Sequence, residues 1–168
     1  LDTSRFRYQL SKYFEVDVRN VHAYILGEHG DSEIAPWSMT HLAGLPLQDY
    51  VDRYGDPESW ERDKDQLVQS VRDSAYHIIN YKGATYFAVG LALTRIVSSI
   101  LQKQRSLLTT SVYLDGEYGM EDICLSVPCT ITSGGVDQVL EADLTEEELD
   151  GLQRSGSVLR DAMKGLKY

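Results

Sequence analysis

Three side chains in this sequence have the types and spacing of a proton relay joined to an acid-recognition group: Asp2, Arg5 and His29. His29 lies in Gly27-Glu28-His29-Gly30-Asp31-Ser32. A histidine titrates close to neutral pH, so it can give or take a proton there. A carboxylate on its second ring nitrogen would fix the tautomer and stabilise the imidazolium. Asp2 could supply that carboxylate. Arg5, three positions on and on the same helical face, could clamp a substrate carboxylate through two parallel N–H bonds.

Each of the three also has a plainer use. Asp2 could cap a helix. Arg5 could form a surface ion pair with it that adds little stability. His29 could be an ordinary loop residue, although its glycine neighbours suit a close backbone approach. A metal-dependent hydrolase built on His22, Glu28, His29 and Asp31 fits poorly, because two histidines seven positions apart match no common zinc pattern. No metal site is expected.

The elements that must hold these groups follow from periodicity. Phe6, Leu10, Tyr13 and Phe14 predict a helix from Thr3 to about Phe14, capped by Asp2 or Thr3. Val21 to Leu26 is rich in strand formers and ends at Gly27, so His29 sits at the end of a strand. Trp37 to Leu47 is ambiguous, with short strands interrupted at Gly44 and Pro46. Glu58 to about Tyr81 is helical, with Leu67, Val71, Ala75, Ile78 and Ile79 as its stripe. Ala84 to about Gln102 is a second helix, apolar over so much of its circumference that a central position is expected.

The remainder alternates as strands do. Leu107–Leu114 turns at Asp115-Gly116, Ile123–Ile131 follows, and Gly134-Gly135 leads into Val136–Leu140. Thr145 with Glu148 forms a capping box for a last helix, with Leu149, Leu152, Val158, Leu159 and Met163 inward. The order describes one mixed α+β domain over residues 1–168, an antiparallel sheet packed with long helices.

Composition excludes several classes of function. The chain has 168 residues, 42% apolar and 25% charged, which is ordinary for a soluble globular protein. A formal net charge of −10 disfavours nucleic acid and anionic membranes, which reward basic surfaces. The acidic cluster at Glu146, Glu147 and Glu148 suits the first turn of a helix. No apolar run nears the ~20 residues of a membrane span, and the first residues do not resemble a signal peptide. A cytoplasmic protein is expected. Cys124 and Cys129, five apart on a strand, face opposite ways, so buried free thiols are expected rather than a disulfide.

Leu1-Asp2-Thr3-Ser4-Arg5-Phe6-Arg7, followed by Gly27-Glu28-His29-Gly30-Asp31-Ser32-Glu33, resembles the lactate and malate dehydrogenase superfamily. Lys82-Gly83-Ala84-Thr85-Tyr86, the Val127-Pro128 strand and the terminal helix extend the likeness over essentially the whole chain. The resemblance implies that His29 is the general acid/base, Asp2 its orienting partner, Arg5 the carboxylate clamp and Thr85 part of the substrate pocket. Gly-Glu-His-Gly-Asp-Ser is similar to the lactate-specific branch. Malate or another 2-hydroxy acid, or a non-catalytic assembly module of the same fold, are the alternatives. One departure is local: Ile34-Ala35-Pro36-Trp37-Ser38 shifts a proline that usually comes one residue earlier in the family.

The same resemblance implies pyruvate and L-lactate as substrates, NAD as cofactor and a homotetramer. It places Arg7 and His22 where bacterial members bind fructose 1,6-bisphosphate across a subunit interface. Spacing alone reads these two as a surface arginine and a strand histidine. No Gly-x-Gly-x-x-Gly turn occurs, so the nucleotide-binding Rossmann domain is expected to be absent from this chain. A C-terminal domain fragment, inactive in isolation, is the expectation.

Overall fold

The computed structural model describes residues 1–166, save the side chains of Ala75 and Lys82. The expected place of Ala75 in a helical stripe therefore lies outside the described residues. The described chain holds helices α1 (Asp2–Tyr13), α2 (Leu47–Tyr54), α3 (Pro57–Lys82), α4 (Phe87–Leu101) and α5 (Glu146–Lys164). Its strands are β1 (Val21–His22), β2 (His41–Leu42), β3 (Leu45–Pro46), β4 (Ser106–Asp115), β5 (Glu121–Thr132) and β6 (Gly135–Val139). They form two three-stranded antiparallel sheets, in the orders β1-β2-β3 and β4-β5-β6. This is the expected α+β architecture. No described helix is long and apolar enough to cross a membrane.

The chain sorts into two compact units, one of Leu1–Ile25 with Ala35–Ala84, the other of Leu26–Ile34 with Thr85–Tyr168. The first is organised by α1 packing on α3. Phe6, Leu10, Val21, Ala23, Ile25, Leu42, Leu47, Val51, Trp60 and Val71 form its core. The burial of Phe6 and Leu10 fixes the rotation of α1, and so the direction in which Asp2 and Arg5 project. Tyr13, Phe14, Trp37 and Trp60 extend the core as a cluster of tilted and edge-on rings. Asp56 caps α3, with Pro57 at its first turn, and Gly83 ends it in the left-handed conformation.

The second unit is built on β5, which pairs with both β4 and β6 and carries α4 and α5. Ile123, Leu125, Val127, Cys129 and Ile131 of β5 are buried. The Thr145–Glu148 capping box opens α5 as expected, with three glutamates in its first turn.

Several expectations are corrected. Asp2 and Thr3 do not cap α1; Leu1 holds that position and Asp2 lies inside the first turn, where its side chain meets Arg5. The Thr3 hydroxyl instead bonds the backbone of Ile25. The strand expected to run from Val21 to Leu26 forms a ladder only at Val21–His22, because its partner β2 is itself two residues long, and Leu26 makes a separate bridge to Ile34. Leu152 is buried as expected, but Val158 and Met163 are exposed, and the small residues Ser155 and Gly156 complete the buried face of α5. A Cβ on Gly156 would stand 2.8 Å from the Met120 sulfur, so a larger residue there requires the Met120 side chain to shift. Cys129 is buried but Cys124 is exposed.

The largest departure is α4. Phe87, Leu91 and Leu101 are each at least 70% exposed, and Leu93 and Val97 are exposed as well. All-round apolarity raises the expectation of burial, and among the described residues α4 does not meet it.

Candidate active site

Asp2 and Arg5 stand one turn apart on α1. Arg5 Nη1 donates to Asp2 Oδ1 at 2.8 Å, and the two side chains are only 15% and 12% exposed respectively. This is no loose surface pair. At such low exposure the ion pair holds both groups in one orientation, with less screening than in open solvent. That bond engages one hydrogen of a guanidinium that has five.

His29 sits in a loop whose base is stitched from two directions. Leu26 and Ile34 exchange backbone bonds of 2.9 Å each way, which closes the loop on itself. Gly27 then bridges to Ser126 of β5, donating to its carbonyl at 2.9 Å and accepting from its N–H at 3.1 Å. Gly27 does this at φ +101°, a left-handed conformation that suits glycine. A Cβ there would stand 2.5 Å from the Ser155 hydroxyl oxygen. So Gly27 is required twice over, for its backbone angle and for the close approach of α5.

The Ser155 hydroxyl is the centre of the loop's anchorage. It accepts from the Glu28 N–H at 2.8 Å and lies 3.0 Å from the Ser32 hydroxyl. Ser32 in turn donates to the Glu28 carboxylate. Within the loop, the Gly30 N–H donates to the Glu28 carbonyl and the Glu33 N–H to the Gly30 carbonyl. The result is a short, internally bonded loop fixed to a strand and a helix, with the His29 side chain exposed at its tip. Rigid scaffolds presenting exposed loop side chains are the usual architecture of reactive sites.

Two residues at this site were passed over by sequence reasoning. Ser155 lies 127 positions from Glu28, and no local signal marks it. Glu33 stands out only through the fold: it is 2% exposed, and a carboxylate oxygen lies within 4.8 Å of a His29 ring nitrogen.

The other expected site residues are placed as follows. Arg7 donates from Nε to the Ala23 carbonyl at 2.9 Å, and its guanidinium lies 5.2 Å from the centre of the Tyr24 ring. That brings it beside β1, where His22 is exposed and registers opposite His41 of β2. Thr85 is half-buried in the connection between α3 and α4. Pro36, the shifted proline, precedes the 3-10 turn Trp37–Met39, and its carbonyl accepts from the Thr40 hydroxyl.

A family model for the lactate/malate dehydrogenase alpha/beta C-terminal domain matches residues 1–167. The chain belongs to that family. Among relatives of this lactate/malate dehydrogenase domain, an L-lactate dehydrogenase from Treponema denticola is 52% identical over 162 residues, 96% of this chain and 51% of that protein. One from Acetivibrio thermocellus is 46% identical over 166 residues, covering 99% and 52%. The crystal structure of minor L-lactate dehydrogenase from Enterococcus mundtii in its ligands-bound form superposes with a TM-score of 0.92 at 41% identity, covering 99% of this chain and 52% of that one. The chain thus spans about half the length of the relatives it matches.

A dinucleotide normally lies against a parallel βαβ unit with a glycine-rich turn at a helix N-terminus. Both described sheets are antiparallel.

Proposed function

We propose that this chain is the substrate-binding, catalytic half of an NAD-dependent L-lactate dehydrogenase that interconverts pyruvate and L-lactate. The observation that carries the reading is the anchored loop that presents His29, in a chain similar to the L-lactate dehydrogenases described above. NAD, held mainly by protein outside these residues, supplies or takes the hydride at the substrate carbon.

The chain's own residues do the rest. His29 donates a proton to the carbonyl oxygen of pyruvate, or takes it from the hydroxyl of lactate. Asp2 orients the imidazole and stabilises its cation. Arg5 receives the substrate carboxylate on its remaining guanidinium hydrogens, a geometry the low exposure of the Asp2–Arg5 pair pre-organises. Thr85 lines the substrate pocket. The protein works in the cytoplasm as a homotetramer.

Arg7 and His22 form one half of a fructose 1,6-bisphosphate site. Their neighbourhood supports this: Arg7 is tied to the strand that carries His22, and both can be cationic toward a phosphate.

The test is NADH oxidation by the full-length protein. Pyruvate-dependent turnover that His29→Ala abolishes, with Arg5→Ala losing mainly affinity for pyruvate and the analogue oxamate, is the expected result. Residues 1–168 alone are expected to show no turnover, and turnover like that of an intact dehydrogenase would overturn that part. Fructose 1,6-bisphosphate activation that survives Arg7→Gln would remove the allosteric part of the reading.

A further inference from the structure

Among the described residues, Glu33 is the one acidic side chain that is buried. Burying an ionised carboxylate is costly unless a countercharge or several hydrogen bonds meet it. The His29 ring, with a nitrogen within 4.8 Å of a Glu33 carboxylate oxygen, is a countercharge whenever the imidazole is protonated. The loop fixes this approach: its base is closed by the Leu26–Ile34 bridge, and Glu33 is held one residue inside that closure.

The other charges on the loop are directed elsewhere. The Glu28 carboxylate is engaged by the Ser32 hydroxyl, and Asp31 is exposed. Toward the loop, α5 contributes the neutral hydroxyl of Ser155, with Arg154 exposed, and β5 contributes the backbone of Ser126. From α1, the function proposed above assigns Asp2 to the imidazole and Arg5 to the substrate.

We propose that Glu33 is a second carboxylate acting on His29, a positioning residue whose buried charge holds the imidazole in its cationic, proton-donating form. The inference rests on the reading of His29 as the acid/base. Reduction of pyruvate needs His29 protonated at the start, and oxidation of lactate needs it neutral. A buried carboxylate beside the ring extends the protonated form to higher pH, and so extends the pH range over which pyruvate is reduced.

The experiment uses the full-length protein and a readout that needs neither substrate nor cofactor. The rate of diethylpyrocarbonate modification at His29, followed by mass spectrometry across pH, reports the neutral fraction of the ring. The wild-type midpoint is expected above the ordinary value of ~6.5. In Glu33→Gln it is expected to fall by ~1 unit or more, since an opposite charge within ~4–6 Å moves a pKa by ~1–3 units. Glu33→Asp, which keeps the charge, should stay near wild type. The pH midpoint of kcat/KM for pyruvate should move in step, whereas a purely structural role would lower the plateau and leave the midpoint in place.

An unchanged midpoint in Glu33→Gln overturns the proposal while pyruvate reduction by the wild type keeps the dehydrogenase reading. If Glu33→Gln fails to fold, a wild-type midpoint at or below ~6.5 overturns it equally. A shifted midpoint in a protein that does not reduce pyruvate would keep the Glu33–His29 coupling and remove the reaction assigned to it.

Discussion

Replacing Ser155 with alanine should loosen the His29 loop without touching any group that meets substrate. Ser155 is 0% exposed, so water cannot readily take the place of its hydroxyl. The change leaves the Glu28 N–H without the acceptor now at 2.8 Å, and removes the 3.0 Å contact with the Ser32 hydroxyl. An orphaned, half-buried donor costs about 1–3 kcal/mol and a lost hydroxyl bond about 1 more, so the expected loss is about 2–4 kcal/mol. At about 2–4 °C per kcal/mol for a domain of this size, Tm should fall by about 4–16 °C. Because misplacing a catalytic group by ~1 Å can cost ~100-fold, kcat/KM for pyruvate should fall at least ~10-fold. Ser157→Ala is the control. Its exposed hydroxyl bonds only the carbonyl of Gln153, one turn back, and the substitution should stay within about 0.5 kcal/mol of wild type. Thermal and urea unfolding of the three full-length proteins read the difference directly. Ser155→Ala unfolding within about 0.5 kcal/mol of wild type would refute the view that this hydroxyl anchors the loop.

Gly27→Ala must hold alanine at φ +101° and bring its Cβ against Ser155, so we expect at least ~1–3 kcal/mol of destabilisation in urea titrations; equal midpoints would contradict it. Tyr118 donates to the Leu140 carbonyl at 2.9 Å and accepts from the Ala142 N–H at 3.0 Å, and burial raises its pKa. Tyr118→Phe should cost about 1–3 kcal/mol by the same assay, and a neutral outcome would mean that the connection into α5 does not depend on this hydroxyl. The Arg19 side chain, then its N–H, holds the Asp17 carboxyl down at about 2. A depressed folded pKa gives stability that is present above the unfolded value of ~3.9 and lost as pH falls toward ~2. Asp17→Asn should therefore be less stable than wild type at pH 6 and converge with it near pH 2, whereas a gap independent of pH would exclude the charge as its cause.

The longer elements were legible in the sequence because each repeats its signal many times. Ten-residue β4 and twelve-residue β5 alternate long enough to be read, and the Thr145–Glu148 box marks the start of α5 by chemistry rather than by propensity. Two-residue strands such as β1, β2 and β3 have no period to detect, and the turn between β2 and β3 is marked only by Ala43 and Gly44 at positive φ. The stripe on α5 was read only in part: Leu152 is buried, but Ser155 and Gly156 bury where Val158 and Met163 do not, with Gly156 in close approach to the Met120 sulfur. At the candidate site, the pairing of Asp2 with Arg5 was readable from helical spacing. The anchoring by Ser155 was not, because its partners are far away in sequence and a lone serine on a helix carries no sign of what it will touch. Glu33 was visible as a letter of the motif, but its burial belongs to the fold.

The loop that carries His29 also has a place in time. It leaves the ribosome well ahead of its anchors, Ser126 and Ser155, which lie up to 127 residues downstream. At synthesis rates of ~5–20 residues per second, roughly 6–25 s pass between the emergence of Glu28 and that of Ser155. Through that interval the loop has no helix or strand to hold it, while its two ends, at Ile25 and Ala35, belong to a unit whose residues are complete by Ala84. Contacts of such sequence separation are slow to close and late to form. The segment on which the proposed chemistry depends would thus be among the last to take its native shape, after the unit that ends at Ala84 is complete.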